Sequence, residues 1–119
     1  MAEPLVHKLM TGGEWRAMRA AGLYRGGADD RRDGYVHLST AAQLRGSAAK
    51  HMAGVPDLLL VALDAAALGP ALRWEAAAGG RRPGLFPHLY GDLPLAAVRG
   101  VFPLPLDGEG RHGFPDWVP

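Results

Sequence analysis

Cysteine is absent from the 119 residues. That excludes disulfides, thiolate nucleophiles and any cysteine-ligated zinc site. Long apolar runs are missing as well: none approaches the ~20 residues a membrane-spanning helix needs. The N-terminus shows no basic-then-apolar signal-peptide pattern. A cytoplasmic protein without membrane association is therefore expected. There is no excess of one charge either, with 13 Lys and Arg against 12 Asp and Glu. Nucleic acid is thus not expected as a partner, because binding it needs a concentrated basic face. No GxSxG elbow and no GxxxxGK[ST] loop occurs, and neither a Rossmann nor a P-loop nucleotide site is expected. His37, His88 and Glu75 match the ligand inventory of a non-haem iron triad, but no HxH or HxD pair and no HExxH helix supports it. No metal is expected.

What is present is a folded-domain composition, 48% hydrophobic and 21% charged, punctuated by 17 Gly and 10 Pro. Many turns and short elements follow, within a single domain over 1–119 whose core spans about 5–106, with a tail (107–119) packed back through Phe114 and Trp117. Residues 5–9 alternate as a first strand. Thr11-Gly12-Gly13-Glu14 reads as a capping box, followed by Trp15, Met18 and Ala21 at helical spacing and by Gly22 as a stop. Residues 26–33 read as a polar loop and 35–38 as a strand. Thr40 and Gln43 repeat the capping-box spacing before a helix through Leu44, Ala48 and Met52.

The longest apolar run lies within 57–64 and is expected as a strand buried on both faces. Residues 72–75 read as a short strand and 76–84 as a loop. Residues 85–90 read as an extended piece, which Pro87 should confine to a sheet edge or a strand start. Residues 97–104 supply the last strand. Early helices followed by strands indicate an α+β fold: two helices in the N-terminal half, then a mostly antiparallel, split β-sheet.

Three apolar segments carry groups able to move or bind protons. His37 and Ser39 share one face by period two, and Ser39 stands at a strand-to-helix junction suited to an anion such as phosphate. The plainer alternative makes Ser39 or Thr40 a helix cap and His37 a core histidine. Glu75, beside Trp74, is either an acid–base group or the partner of an arginine. His88 and Tyr90 share a face and suit a phosphate, ribose or carboxylate, or else form a pair that only orders the sheet. His7, His51 and His112 are less committed. Arg31-Arg32 and Arg81-Arg82 read as solvated loops or as anion-gripping loops over a pocket.

Glu14-Trp15, Gly34-Tyr35-Val36-His37-Leu38-Ser39-Thr40, Trp74-Glu75 and Phe86-Pro87-His88-Leu89-Tyr90-Gly91 follow the order and spacing of a small bacterial family, domain of unknown function 952 (DUF952). The resemblance runs from Val6 to about Leu106. That family in turn distantly resembles the ADP-ribosyltransferase fold, a split α+β core that grips NAD without a Rossmann fold. The resemblance implies NAD as a candidate substrate and no other cofactor. It sets His7 near the early-strand position, His37 with Ser39 at the second motif, and Glu75 or His88 at the late one. Glu75, His88 and His37 are then the catalytic candidates, and Ser39, Tyr90, Thr40, His7 and Trp74 the substrate-binding set. Two other readings of these residues are a cofactor-free acid–base enzyme acting on a small metabolite and a non-catalytic ligand-binding module.

Overall fold

The computed structural model describes residues 4–77 and 79–119. Residues 1–3 of the expected domain and residue 78 of the expected 76–84 loop lie outside the described residues. Strand β1 (Leu5–Thr11) runs directly into helix α1 (Gly12–Ala21). The capping box forms as expected: Thr11 Oγ1 accepts from the Glu14 amide at 3.2 Å, and Glu14 Oε1 accepts from the Thr11 amide at 2.9 Å. Gly22 ends the helix at φ 81°, a left-handed conformation costly for any residue with a Cβ. The chain continues through β2 (Leu23–Tyr24), α2 (Ala28–Asp33), β3 (Val36–His37), α3 (Leu44–His51) and β4 (Leu58–Asp64). Helix α4 (Ala65–Leu68), β5 (Leu72–Ala76), β6 (Leu85–Leu89), β7 (Leu93–Pro94) and β8 (Val98–Pro103) complete it.

The strands form three sheets, β1-β4-β8, β2-β7 and β3-β6-β5, and every ladder described is antiparallel. The α+β class and the split sheet are therefore as expected. Strand β4 is the centre, and its alternation feeds two cores. Val61 and Leu63 join Val6, Met10 and Met18 on one side. Leu58, Leu60 and Ala62 join Leu9, Leu44, Leu104 and Val118 on the other. None of the described helices is long and apolar enough to cross a membrane.

Three expectations need correction. The described residues contain four α-helices, not two. One of the additional helices, α2, occupies the stretch read as a loop. Its six residues, Ala-Asp-Asp-Arg-Arg-Asp, carry no apolar periodicity. It forms because Asp30 turns inward to tertiary partners, with acids in the first turn and arginines in the last complementing the helix dipole. The other, α4, starts where Asp64 Oδ1 accepts from the Ala66 amide at 3.0 Å.

The third correction concerns Pro87. Strand β6 is central, paired with β3 on one side and β5 on the other. Pro87 accepts from the Leu38 amide at 3.1 Å and so faces the β3 side, where the ladder spans only Val36 and His37. Beyond it the chain leaves to bridge Ser39 to His7 on β1. Pro87 thus stands opposite Leu38 at the last pairing of that side, where its carbonyl accepts one bond and the missing N–H costs the ladder only its terminal bond.

The tail residues make contacts with the body. Val118 is buried, Phe114 lies against the same core, and Arg45 donates to the carbonyls of Val118 and Pro119 at 3.1 and 2.9 Å. Gly108, Gly110 and Gly113 have GxGxxG spacing, which the sequence-based expectation overlooks. Gly108 and Gly110 sit in a turn closed by a Leu106–His112 bridge and Gly113 follows it, with no strand-to-helix context for binding a dinucleotide.

Candidate functional site

Strand parity builds the site. In the β3-β6-β5 sheet, Val36, Leu89, Leu72 and Trp74 turn to the core. The opposite parity places His37, Phe86, His88, Arg73 and Glu75 on the other face, with Tyr35 and Tyr90 just beyond the strand ends. His37 pairs across the ladder with His88, and His88 with Arg73.

His88 is buried, and its Nδ1 lies 2.9 Å from Glu75 Oε1. The same oxygen accepts from the Tyr90 hydroxyl at 2.7 Å, while no hydrogen bond involves Glu75 Oε2 among the described residues. The Tyr35 ring stacks on His88 with centroids 4.0 Å apart. The Tyr90 bond, then that from His88, holds the Glu75 carboxyl below its usual range. An ionised Glu75 accepts the hydrogen bond from Nδ1–H and leaves Nε2 as the basic nitrogen of His88.

His37 sits between two carboxylates, Nδ1 2.6 Å from Asp30 Oδ1 and Nε2 2.8 Å from Asp33 Oδ2. Only the imidazolium donates both bonds at once. Asp30 is a buried hub. Lys8 Nζ donates to its two oxygens at 3.2 and 3.0 Å, and the His37 and Gly27 amides donate at 2.9 Å each. Burial alone would raise the Asp30 pKa, but the His37 hydrogen bond, the Lys8 ammonium and the two amides hold it well below the carboxylate range. Lys8 also donates to the His37 carbonyl at 3.1 Å. Tyr24 donates to Glu14 Oε2 at 3.0 Å, and burial followed by Glu14 and Asp30 pushes its phenol far up.

A third group stands at α3. Ser39 Oγ and Ser47 Oγ are 2.8 Å apart, and Arg82 donates to Ser47 Oγ at 3.1 Å and to the Gln43 carbonyl at 3.3 Å. His7 and Ser39 exchange backbone hydrogen bonds at 2.9 Å, and His7 Nδ1 lies 3.0 Å from the Ser39 carbonyl.

These groups surround one cavity of about 500 Å³. Glu14, Asp29, Asp30 and Asp33 line it on the α1–α2 side, and Lys50, His51 and Arg82 on the α3 side. Of the expected residues, His7, His37, Ser39 and His88 line it. Glu75 and Tyr90 lie outside the lining, behind His88 on the same sheet face. Trp74 packs towards the core, and the Thr40 amide is bound by Gln43 Oε1 at 3.0 Å. Sequence reasoning missed Lys8, Glu14, Tyr24, Asp30 and Asp33. Lys8 left a signal, a charge between the buried Val6 and Met10 on one strand face; Asp30 left none.

The sequence profile described as protein of unknown function (DUF952) matches residues 9–101. The chain belongs to the DUF952 family. The DUF952 match ends before the tail and contains His37, Ser39, Glu75, His88 and Arg82 but not His7. The crystal structure of protein CC0527 from Caulobacter crescentus is similar, at 39% identity and TM-score 0.83, covering 92% of this chain and 93% of that one. The solution structure of CC0527 is similar at 39% identity and TM-score 0.79, covering 92% and 91%. No curated protein matches the chain.

Proposed function

We propose that this DUF952 protein is an enzyme acting on a nucleotide-like, anionic small molecule held in the cavity, with His88 as the proton-transferring group. The observation that carries this reading is the convergence of His37 and Ser39 from one segment and His88 from another on a single cavity. Its volume of about 500 Å³ suits a small-molecule ligand. Glu75 fixes the His88 tautomer as an orienting group fixes a catalytic base. Cations on one wall suit a phosphate or carboxylate, and carboxylates on the other accept from hydroxyls such as those of a ribose.

In its most specific form the reaction is ADP-ribosyl transfer from NAD. The bond between ribose C1′ and the nicotinamide nitrogen breaks, nicotinamide leaves, and a nucleophile bonds to C1′. His88 Nε2 takes the nucleophile's proton, and Glu75, from behind the cavity wall, holds the His88 ring through Nδ1. Ser39 holds the phosphate, while His37, bound at both ring nitrogens by Asp30 and Asp33, forms the adjoining wall. A second reading, cofactor-free acid–base catalysis on a small metabolite, is favoured by the position of Glu75: it engages His88 instead of lining the cavity.

A thermal-shift titration with NAD, ADP-ribose and nicotinamide, followed by mass analysis, tests both. Saturation at a hundredfold excess over Kd stabilises the native state by about 2.7 kcal/mol. The expected result is a shift with NAD and nicotinamide release that His88→Asn abolishes. The absence of any shift at millimolar ligand rejects NAD, and recovery of bound ligand unchanged marks a binding module.

A further inference from the structure

We propose that Arg82, with Ser47, Ser39 and Lys50, forms a subsite for the phosphate group of an organic small molecule; this deepens the cavity reading above and rests on it. The Arg82 guanidinium is half-buried, and its two acceptors, Ser47 Oγ and the Gln43 carbonyl, are neutral. No carboxylate pairs with it among the described residues. A guanidinium has five N–H donors, so three remain unused.

The carboxylates of the cavity are engaged elsewhere. Glu14 binds the Thr11 amide and Tyr24, Asp30 binds Lys8 and His37, and Asp29 and Asp33 bind Arg32, with Asp33 also on His37. Burial lowers the Arg82 pKa, as expected for a desolvated cation without a counter-charge.

The placement of Arg82 is built. Its guanidinium rests 4.4 Å from the centre of the Phe86 ring. A Cβ on Gly46 would come within 2.9 Å of Arg82 Nη2, so α3 carries a poor helix former where the guanidinium passes. Ser47 accepts from Arg82 and can donate to Ser39, which leaves the Ser39 hydroxyl proton for a ligand. Lys50 lines the cavity one turn after Ser47 and has no ion pair among the described residues. Guanidinium, ammonium and hydroxyl on one wall fit a phosphate dianion. A single phosphate would leave most of the 500 Å³ empty, and the facing carboxylates can accept from the hydroxyls of a sugar.

The test is a two-dimensional NMR titration of the full chain with ribose 5-phosphate, inorganic phosphate and ribose. Ribose 5-phosphate should give saturable shifts at the amides of Ser39, Ser47 and Lys50 and at Arg82 Nε. Inorganic phosphate should bind more weakly, and ribose should shift nothing. Arg82→Gln should weaken ribose 5-phosphate at least tenfold, and Lys50→Gln less, each with an otherwise native spectrum. Gly46→Ala, which crowds Arg82 without removing charge, should also weaken it. Undiminished binding by a folded Arg82→Gln protein, shifts clustered elsewhere, or equal affinity for inorganic phosphate would overturn the proposal. Failure of NAD conversion while ribose 5-phosphate still binds at Arg82 would defeat only the ADP-ribosyl-transfer reading. An indifferent Arg82→Gln beside a His88→Asn variant unable to convert NAD would defeat only the subsite.

Discussion

Asp30 binds His37 twice: one carboxylate oxygen lies 2.9 Å from the His37 amide and 2.6 Å from its Nδ1. One residue of a six-residue polar helix thus fixes both the backbone and the ring of a candidate site residue. The same carboxylate anchors Lys8, whose side chain is also buried.

Asp30→Ala should therefore be among the most destabilising single changes in this protein. Removing one partner of a buried ion pair costs about 3–5 kcal/mol, because the other charge stays buried and unpaired. Adding Lys8→Met should recover part of the loss, and a double-mutant cycle by urea unfolding measures how much. Equal destabilisation by the single and double variants would contradict the pairing.

Acid should act through the same group. The folded Asp30 pKa is depressed, so its stabilisation is complete above the unfolded value of about 3.9 and is lost as pH falls towards the lower folded value. Unfolding free energy should drop steadily below about pH 5, and Asp30→Asn should flatten that slope. A variant with the wild-type slope would remove Asp30 from the account.

Glu75→Ala should change His88 without unfolding the protein, since the Glu75 side chain is over one-third exposed. Nitrogen-15 chemical shifts of the imidazole report the tautomer. Wild type should carry the neutral-ring proton on Nδ1, and the variant should redistribute it. Tyr90→Phe, which removes the other donor to Glu75 Oε1, should let the Glu75 pKa rise. An unchanged His88 tautomer in Glu75→Ala would mean that Glu75 does not orient the ring.

All three tyrosines have raised pKa values, Tyr24 and Tyr35 first by burial and Tyr90 first by its bond to Glu75. Absorbance at the phenolate band should stay flat past pH ~10, where free tyrosine titrates. Tyr24 should ionise only as the fold opens. Its stabilisation is present below the unfolded value and lost as pH rises towards the folded one, so alkaline unfolding should be delayed in Tyr24→Phe. Phenolate formation by all three residues below pH 10 would contradict this placement.

Removing residues 117–119 should cost about 1.5–3 kcal/mol from Val118 alone, which is 3% exposed. The Trp117 ring lies 5.6 Å from His7, so the His7 ring resonances should move as well. Truncation that leaves both stability and His7 unaltered would show the tail to be dispensable.

Much of this was open to reading in the chain. Thr11 and Glu14 state a helix start in four residues, and the run from Leu58 to Leu63 states a strand with two buried faces, because both signals are local. Helix α2 carried no such signal: its stability comes from Lys8 and His37, 22 and seven residues away from Asp30. Pro87 misled for a related reason. Proline removes only its own N–H bond, and at Pro87 that falls at the end of the β3 pairing, so the strand can still be central.

Period two alone determined that His37 shares a face with Ser39, and His88 with Tyr90, since a strand alternates whatever it pairs with. Composition and local pattern determined the α+β class and the position of β4. Only the tertiary structure decided that His37 meets Asp30, that His88 and not Glu75 lines the cavity, and that Arg82 reaches Ser47 across 35 residues. Those contacts depend on how separate elements approach one another, and no local periodicity encodes that approach.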